Sequence, residues 1–274
     1  MKTVFSVADV PTVSRREHLE EMGSTYESGQ HVTVIGPSGK GKTRLVGGLL
    51  LVCASPDREA YYMHGKIRGR DQTIETISRV ANMPIIPHGV PTRTDRLRYR
   101  REGRRGWIIR PLVKPGETTA AENKLLRQEF ARTIRAGYHT SRKRPKILVV
   151  NEAHQAHNDL KLKEACEGPL MRGRPDCAMW SEIQRGRFVS YMCYDQATHV
   201  YIFKDDDEDN QRRYAEIGGV DPHMLRELQK QLKTRKAPDG SVNSQCLYFS
   251  RDGQLYIVDF LTPAIVYAQD MRSR

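Results

Sequence analysis

The feature that most constrains this chain is the run His31-Val32-Thr33-Val34-Ile35, followed directly by Gly36-Pro37-Ser38-Gly39-Lys40-Gly41-Lys42-Thr43. The eight residues from Gly36 fit G-x-x-x-x-G-K-[ST], the Walker A pattern. A β-branched stretch precedes them and an apolar helical stretch, Arg44 to Cys53, follows. Strand, glycine loop and helix in that order make a phosphate-binding loop. The glycines remove Cβ atoms, so backbone N–H groups can turn inward around a polyphosphate. The helix N-terminus adds its partial positive charge at the same place. By this motif Gly36, Pro37, Ser38, Gly39, Lys40, Gly41, Lys42 and Thr43 cradle a nucleoside triphosphate. Lys42 reaches its β and γ phosphates, and the Thr43 hydroxyl ligates magnesium. ATP and Mg2+ are the ligands expected.

Charge narrows the partner. Of the 274 residues, 45 are Lys or Arg and 33 are Asp or Glu, a formal net charge of +12. With a pI near 9.6, such a surface draws in phosphate backbones or other polyanions. The charge is not spread evenly. Between Arg93 and Lys114, nine basic residues oppose only Asp95 and Glu102, so more than half of the net charge sits in one block. Cys53, Cys166, Cys177, Cys193 and Cys246 form no C-x-x-C pair, which argues for reduced core cysteines and against a disulfide framework or zinc site. The segment MKTVFSVADVP is no signal peptide, and the longest apolar run, Leu45 to Ala54, is far short of a membrane span. A soluble, cytoplasmic protein without a membrane partner is expected.

Patterning supplies the architecture. A helix from Val13 to Ser28 follows a Ser14 cap, and strands are expected at 59–64, 107–110, 146–150, 177–183 and 200–203. A short helix spans Asp71 to Val80. Thr119-Ala120-Ala121-Glu122 fits a capping box opening a helix that Gly137 stops. Another helix runs from Asn158 to about Glu167, ended by Gly168-Pro169. Asp221-Pro222 starts a further helix, and a D-G turn at Arg251-Asp252-Gly253-Gln254 joins the last two strands. Apolar strands alternating with helices predict an α/β P-loop NTPase of RecA/ASCE type. Its central sheet is mostly parallel, covered by helices on both faces, with a C-terminal β-hairpin. Residues 1–30 read as an N-terminal helical extension, 31–262 as the ATPase domain with a basic insertion at about 81–115, and 263–274 as a tail.

Hydrolysing a γ-phosphate also needs a base that orients water, and positive charge for the transition state. The base is sought at the carboxyl end of a buried strand beside the phosphate loop. Ile147 to Val150 ends in Asn151-Glu152, so Glu152 is the expected general base. The position before it, usually an aspartate holding the magnesium shell, is Asn151, which accepts a hydrogen bond but brings no charge. His154 and His157 lack a third ligand and read as polar residues at a helix start.

From the Glu152 strand onward the order of motifs resembles the FtsK/HerA superfamily of DNA-pumping ATPases, especially its small viral genome-packaging members. The strand Cys177 to Ile183 ends in Gln184-Arg185-Gly186-Arg187, and Ala197 to Phe203 is an alanine-led strand. The resemblance covers roughly residues 30–260. It implies that Gln184 senses the γ-phosphate, and that an arginine reaches a neighbouring subunit's ATP. Arg174 is the first choice for that arginine, with Arg172 and Arg185 behind. It further implies a homo-oligomeric ring, hexamer or pentamer, that pumps double-stranded DNA into a procapsid through a portal vertex. Such a protein would occupy the host cytoplasm and the virion. At 274 residues, the chain is expected to lack the membrane segments and DNA-reading domain of the cell-division translocases. It is likewise expected to lack the extra N-terminal barrel of the archaeal members.

A ring motor holds the DNA backbone through contacts that ignore sequence. Arg98, Arg100, Arg101, Arg104 and Arg105, beside Tyr99 and Trp107, suit that role. Lys66, Arg68 and Arg70 are alternatives, and the block could instead dock on an acidic neighbour such as the Asp205–Asp209 run. Two other functions stay open: a nucleotide- and DNA-binding switch or loader that barely turns over, and a small-molecule phosphotransferase.

Overall fold

The computed structural model of the chain describes residues 7–69, 71–114, 116–172, 175–185, 190–236 and 242–260. In chain order its strands are β1 (Thr12–Val13), β2 (Val32–Ile35), β3 (Glu59–Met63), β4 (Ile85–Ile86), β5 (Gly106–Ile109) and β6 (Lys146–Val150). They continue with β7 (Cys177–Ile183), β8 (His199–Phe203), β9 (Thr234–Lys236), β10 (Val242–Ser244), β11 (Cys246–Ser250) and β12 (Leu255–Val258). Ten of them form one sheet in the order β1-β12-β11-β8-β2-β7-β6-β3-β5-β4, while β9 and β10 make a separate ribbon. From β8 to β4 every neighbouring pair is parallel. The antiparallel hairpin β11–β12 then adds to β8. Strands β2, β6, β7 and β8 are buried along their whole length, as apolar strands covered on both faces must be. The expected fold class is the observed one.

Helices α1 (Arg15–Thr25), α2 (Lys42–Cys53) and α3 (Gln72–Val80) cover one face, burying Leu19, Leu45, Leu49 and Ile77 with Val34 and Val149. Helices α5 (Thr119–Thr140), α6 (Ala153–Asn158), α7 (Lys163–Met171), α8 (Met192–Asp195), α9 (Glu208–Gly218) and α10 (Pro222–Gln231) all contribute to the opposite core, where Phe130, Leu170 and Leu228 meet Leu148 and Ile202. Ser14 caps α1 through a capping box with Glu17, and Asp71 and Asp221 cap α3 and α10. The acidic run at 205–209 opens α9, with Asp207 as its cap. Carboxylates there oppose the positive end of the helix dipole.

Four local expectations change. Strand β6, which carries Asn151 and Glu152 at its end, does not adjoin the phosphate-loop strand β2, because β7 lies between them. Residues 81–115 are not an excursion from the sheet: β4, α4 (Arg93–Arg101) and β5 continue it as one more strand-helix-strand unit. The helix expected at 158–167 is two helices, α6 and α7, separated at Lys161 with its positive φ of 54°, and Pro169 lies inside α7. Helix α5 is capped by Thr118 and runs past Gly137 to Thr140. Gly137 does not stop the helix. It lets α5 approach the sheet, since a Cβ there would lie 2.5 Å from Leu148 Cδ2. Replacing it by alanine on an exposed helix would gain about 1 kcal/mol. Here Gly137→Val is expected to destabilise by about 1–3 kcal/mol through overpacking, read as a lower urea midpoint. An unchanged midpoint would mean that α5 can shift away from the sheet.

Candidate active site

The loop between β2 and α2 turns at the carboxyl edge of the parallel strands. Gly36 is required by contact as well as conformation: its φ is +149°, and a Cβ would sit 2.6 Å from Phe203 Cβ on β8. Its N–H donates to Ile183 O at 3.0 Å, extending the β2–β7 ladder into the loop. Gly41 takes the left-handed N-cap position of α2, with no side-chain cap, so the first N–H groups of this helix remain available to an anion. Lys42 is only 7% exposed. Its Nζ donates to Gly36 O at 2.6 Å and Pro37 O at 2.8 Å. Burial pulls its pKa down to about 8, with Glu182 and Glu152 opposing the shift.

A cavity of about 380 Å³ opens beside this loop and brings together Lys42, Thr43, Asn151, Glu152, Glu182 and Gln184. Although β6 is one strand removed from β2, Glu152 still reaches the cleft of the phosphate loop. It sits at the junction of β6 and α6 in the left-handed region, φ 54° and ψ 57°, a costly conformation for a residue with a Cβ. Its Oε1 accepts from Gln184 Nε2 at 2.9 Å and lies 3.8 Å from Lys66 Nζ. The two residues expected to act as base and γ-phosphate sensor thus touch each other across the ends of β6 and β7. The backbone N–H of Asn151 donates to Met63 O at 3.1 Å. Its Oδ1 is buried with no hydrogen-bond partner among the described residues; His64 lines the same cavity, and burial holds its pKa down at about 4.

Pattern reading missed Glu182. It is 2% exposed, on a strand with no exposed residue, and its carboxylate accepts from Thr43 Oγ1 at 2.7 Å and Tyr62 OH at 2.6 Å. Burial raises its pKa, while the Tyr62 and Thr43 hydrogen bonds and the Lys42 charge pull the other way. The signal was present: a carboxylate inside Cys-Ala-Met-Trp-Ser-Glu-Ile is foreign to a strand otherwise suited to a sheet interior.

The remaining expected residues are spread about the fold. Arg185 is exposed just beyond Gln184, at the cleft edge of the sheet. Arg172 is exposed at the end of α7, ahead of β7 and hence at the opposite edge. Arg174 lies outside the described residues, as do Arg70 and the side chains of Arg98, Arg100 and Arg101, whose backbone belongs to α4. Arg104 pairs with Glu102 at 3.0 Å. Arg105 is partly buried, and its Nη1 donates to Leu51 O at 2.6 Å and Ala54 O at 2.8 Å, so this guanidinium satisfies carbonyls at the end of α2. Arg68 pairs with Glu122. His154 bonds Asn158 at 2.8 Å, and His157 is buried near Cys193 Sγ at 3.9 Å. Among the described residues, no three His, Cys, Asp or Glu side chains converge as a metal cluster, and no helix is long and apolar enough to cross a membrane.

No protein-family model matches the chain, and no curated protein is similar to it in sequence. Solved structures are similar to it. The DNA-packaging ATPase B204 from Sulfolobus Turreted Icosahedral Virus superposes with a TM-score of 0.55 at 13% identity, over 86% of this chain and 100% of that one. The genome packaging NTPase of Sulfolobus turreted icosahedral virus 2 in complex with AMPPCP gives 0.51 at 12% identity, over 85% and 98%. Its complex with ATP-gammaS gives the same values. The fold of this chain is that of these viral packaging NTPases.

Proposed function

We propose that the chain is a Mg-dependent ATPase that translocates double-stranded DNA as a homo-oligomeric ring and packages a viral genome through a capsid portal vertex. One observation carries the reading: the Glu152–Gln184 hydrogen bond of 2.9 Å stands in the same cleft as Lys42 and Thr43. A phosphate cradle alone fits many reactions, but a carboxylate gripped by a neighbouring strand's amide fits controlled hydrolysis. The similar packaging NTPase is known in complex with ATP analogues, which supports ATP as the nucleotide.

In this reading Lys42 leaves the Gly36 and Pro37 carbonyls for the β and γ phosphates, while the loop N–H groups hold the chain of phosphates. Glu152 aligns a water against the γ-phosphorus and takes a proton from it. The new P–O bond forms as the bond to the β–γ bridging oxygen breaks, releasing phosphate and ADP. Gln184, bonded to Glu152 beforehand, registers whether a γ-phosphate is present. The Thr43 hydroxyl and the unpartnered Oδ1 of Asn151 are hard oxygen donors of the kind magnesium takes. When bound, magnesium would neutralise charge on the β and γ oxygens. Arg172 is exposed at the end of α7, ahead of β7 and so at the edge of the sheet away from its own cleft, which suits it to a neighbouring protomer's nucleotide. Arg174 and Arg185 remain candidates for the same trans role.

DNA contact is assigned to Arg98, Arg100 and Arg101 on α4, with Arg104. Arg105 is excluded from neutralisation tests because of its carbonyl contacts. Duplex DNA is expected to stimulate ATP hydrolysis, and DNA affinity to fall steeply with salt. Alanine at 98, 100 and 101 should flatten the log–log salt slope by about 0.9 for each DNA phosphate that the variant no longer neutralises. A slope that does not change would move the DNA-binding surface elsewhere, to Lys66 and its loop. A second reading has one observation in its favour: the neutral Asn151 fits a switch that binds nucleotide and DNA but turns over little. An ATPase rate indifferent to duplex DNA would favour it.

A further inference from the structure

We propose that Glu182 supplies the carboxylate of the magnesium shell that Asn151 cannot, so that the acidic group has moved one strand across the sheet at the same level. The inference rests on the reading that a magnesium–triphosphate occupies the cleft. It starts from register. Strands β6 and β7 pair in parallel, ending at Val150 opposite Ser181. One further step of that register sets Asn151 opposite Glu182, and side chains at such paired positions lie on one face of a sheet. The amide and the carboxylate are therefore neighbours, and Asn151 stabilises the charged form of Glu182.

The second observation is the partner Glu182 has chosen. Its Oε2 accepts from Thr43 Oγ1 at 2.7 Å, the hydroxyl that the phosphate-loop motif gives to the metal. A carboxylate within hydrogen-bond distance of that hydroxyl would be able to hold the same cation, directly or through a water. The third is how firmly it is held. Tyr62 donates to Oε1 at 2.6 Å from β3, reaching across β6, so both carboxylate oxygens have a fixed donor. A buried carboxylate is costly unless its charge is answered. Lys42 answers part of it, and a divalent cation at Thr43 would answer more. Placing the acid at residue 182 also leaves Asn151 free to contribute a neutral oxygen beside it.

The rival explanation is that Glu182 merely braces the loop through Thr43 and Tyr62. The nearly isosteric substitution Glu182→Gln, which keeps hydrogen-bonding capacity but removes charge, separates the two. The affinity for a non-hydrolysable ATP analogue is measured twice, in EDTA and with Mn2+, and bound Mn2+ is followed directly by EPR. For the unmodified protein, Mn2+ should tighten nucleotide binding. For Glu182→Gln, binding in EDTA should stay within about twofold, while metal affinity of the nucleotide complex falls roughly 10- to 100-fold. Restoring a carboxylate on the neighbouring strand, in Asn151→Asp/Glu182→Gln, should recover most of that loss.

Full Mn2+ enhancement in Glu182→Gln would overturn the proposal and leave Glu182 as a brace. If Glu182→Gln loses nucleotide binding even in EDTA, the double variant decides. Recovery by Asn151→Asp supports a transferable metal carboxylate, and no recovery rejects it. Unmodified protein that binds the analogue in EDTA but gains nothing from Mn2+ would reject the proposal while leaving the nucleotide site intact. Only failure to bind under both conditions would remove the site itself.

Discussion

Lys42→Ala is expected to weaken ATP binding by at least about 100-fold, close to abolishing it at ordinary nucleotide concentrations. The ammonium group would make charge-assisted hydrogen bonds to two phosphates, each worth about 1.5–3 kcal/mol, and 1.4 kcal/mol is a factor of ten in affinity. The two loop-carbonyl bonds that it exchanges offset part of that gain, but the side chain needs no reorganisation to reach the site. Nζ is held by two loop carbonyls at 2.6 and 2.8 Å, so the side chain is already folded back toward the site. The loop does not depend on it alone, because Gly36 N–H also bonds Ile183 O. Alanine is a good helix former at the first residue of α2. The variant should therefore keep its thermal midpoint within a few degrees while a fluorescent ATP analogue no longer binds. Retained affinity in a folded variant would show that the triphosphate sits elsewhere.

Much of this site could be read from residue order, and the part that could not has a physical reason. The strand–loop–helix unit at 32–53 was legible because glycine positions, β-branched residues and an apolar helix all point the same way locally. Gln184 was legible only through the order of motifs around it, since a lone glutamine carries no periodic signal. Sheet order was not legible. Local pattern marks β2, β6 and β7 as buried strands but does not say that β7 separates the other two, because that depends on which crossovers pack. Gly137 was misread for a related reason: a helix-ending glycine and one admitting Leu148 look identical until the neighbouring strand is known. Arg105 is similar. Beside four other arginines it reads as part of a nucleic-acid surface, yet its guanidinium faces the carbonyls of Leu51 and Ala54, about fifty residues earlier in the chain. Glu182 was passed over because strand patterning weighs the apolar majority, whereas the informative residue was the one that did not fit.

Glu152→Gln is the second large effect expected, and it should divide binding from chemistry. Glutamine keeps the length and planarity of the side chain and an oxygen able to accept from Gln184 Nε2, so the 2.9 Å hydrogen bond can persist. The left-handed backbone at φ 54° is no worse for glutamine than for glutamate, so the strain at this turn is unchanged. What disappears is the group that can take a proton from water. General-base catalysis of this kind contributes about 10²- to 10⁴-fold, and kcat should fall by that factor with ATP affinity within about threefold. Single-turnover measurement with saturating ATP reads the chemical step without product release. Near-normal hydrolysis would assign the base to another carboxylate lining the cavity, either Asp71 at the start of α3 or Glu182 at the end of β7. The Glu182 oxygens, however, already accept from Thr43 and Tyr62, and Glu182 is almost fully buried. Glu152, with its side chain 23% exposed, is open to water where Glu182 is not, while Asp71 is committed to capping α3 through the Thr73 and Ile74 N–H groups, and that is why the base is placed at Glu152.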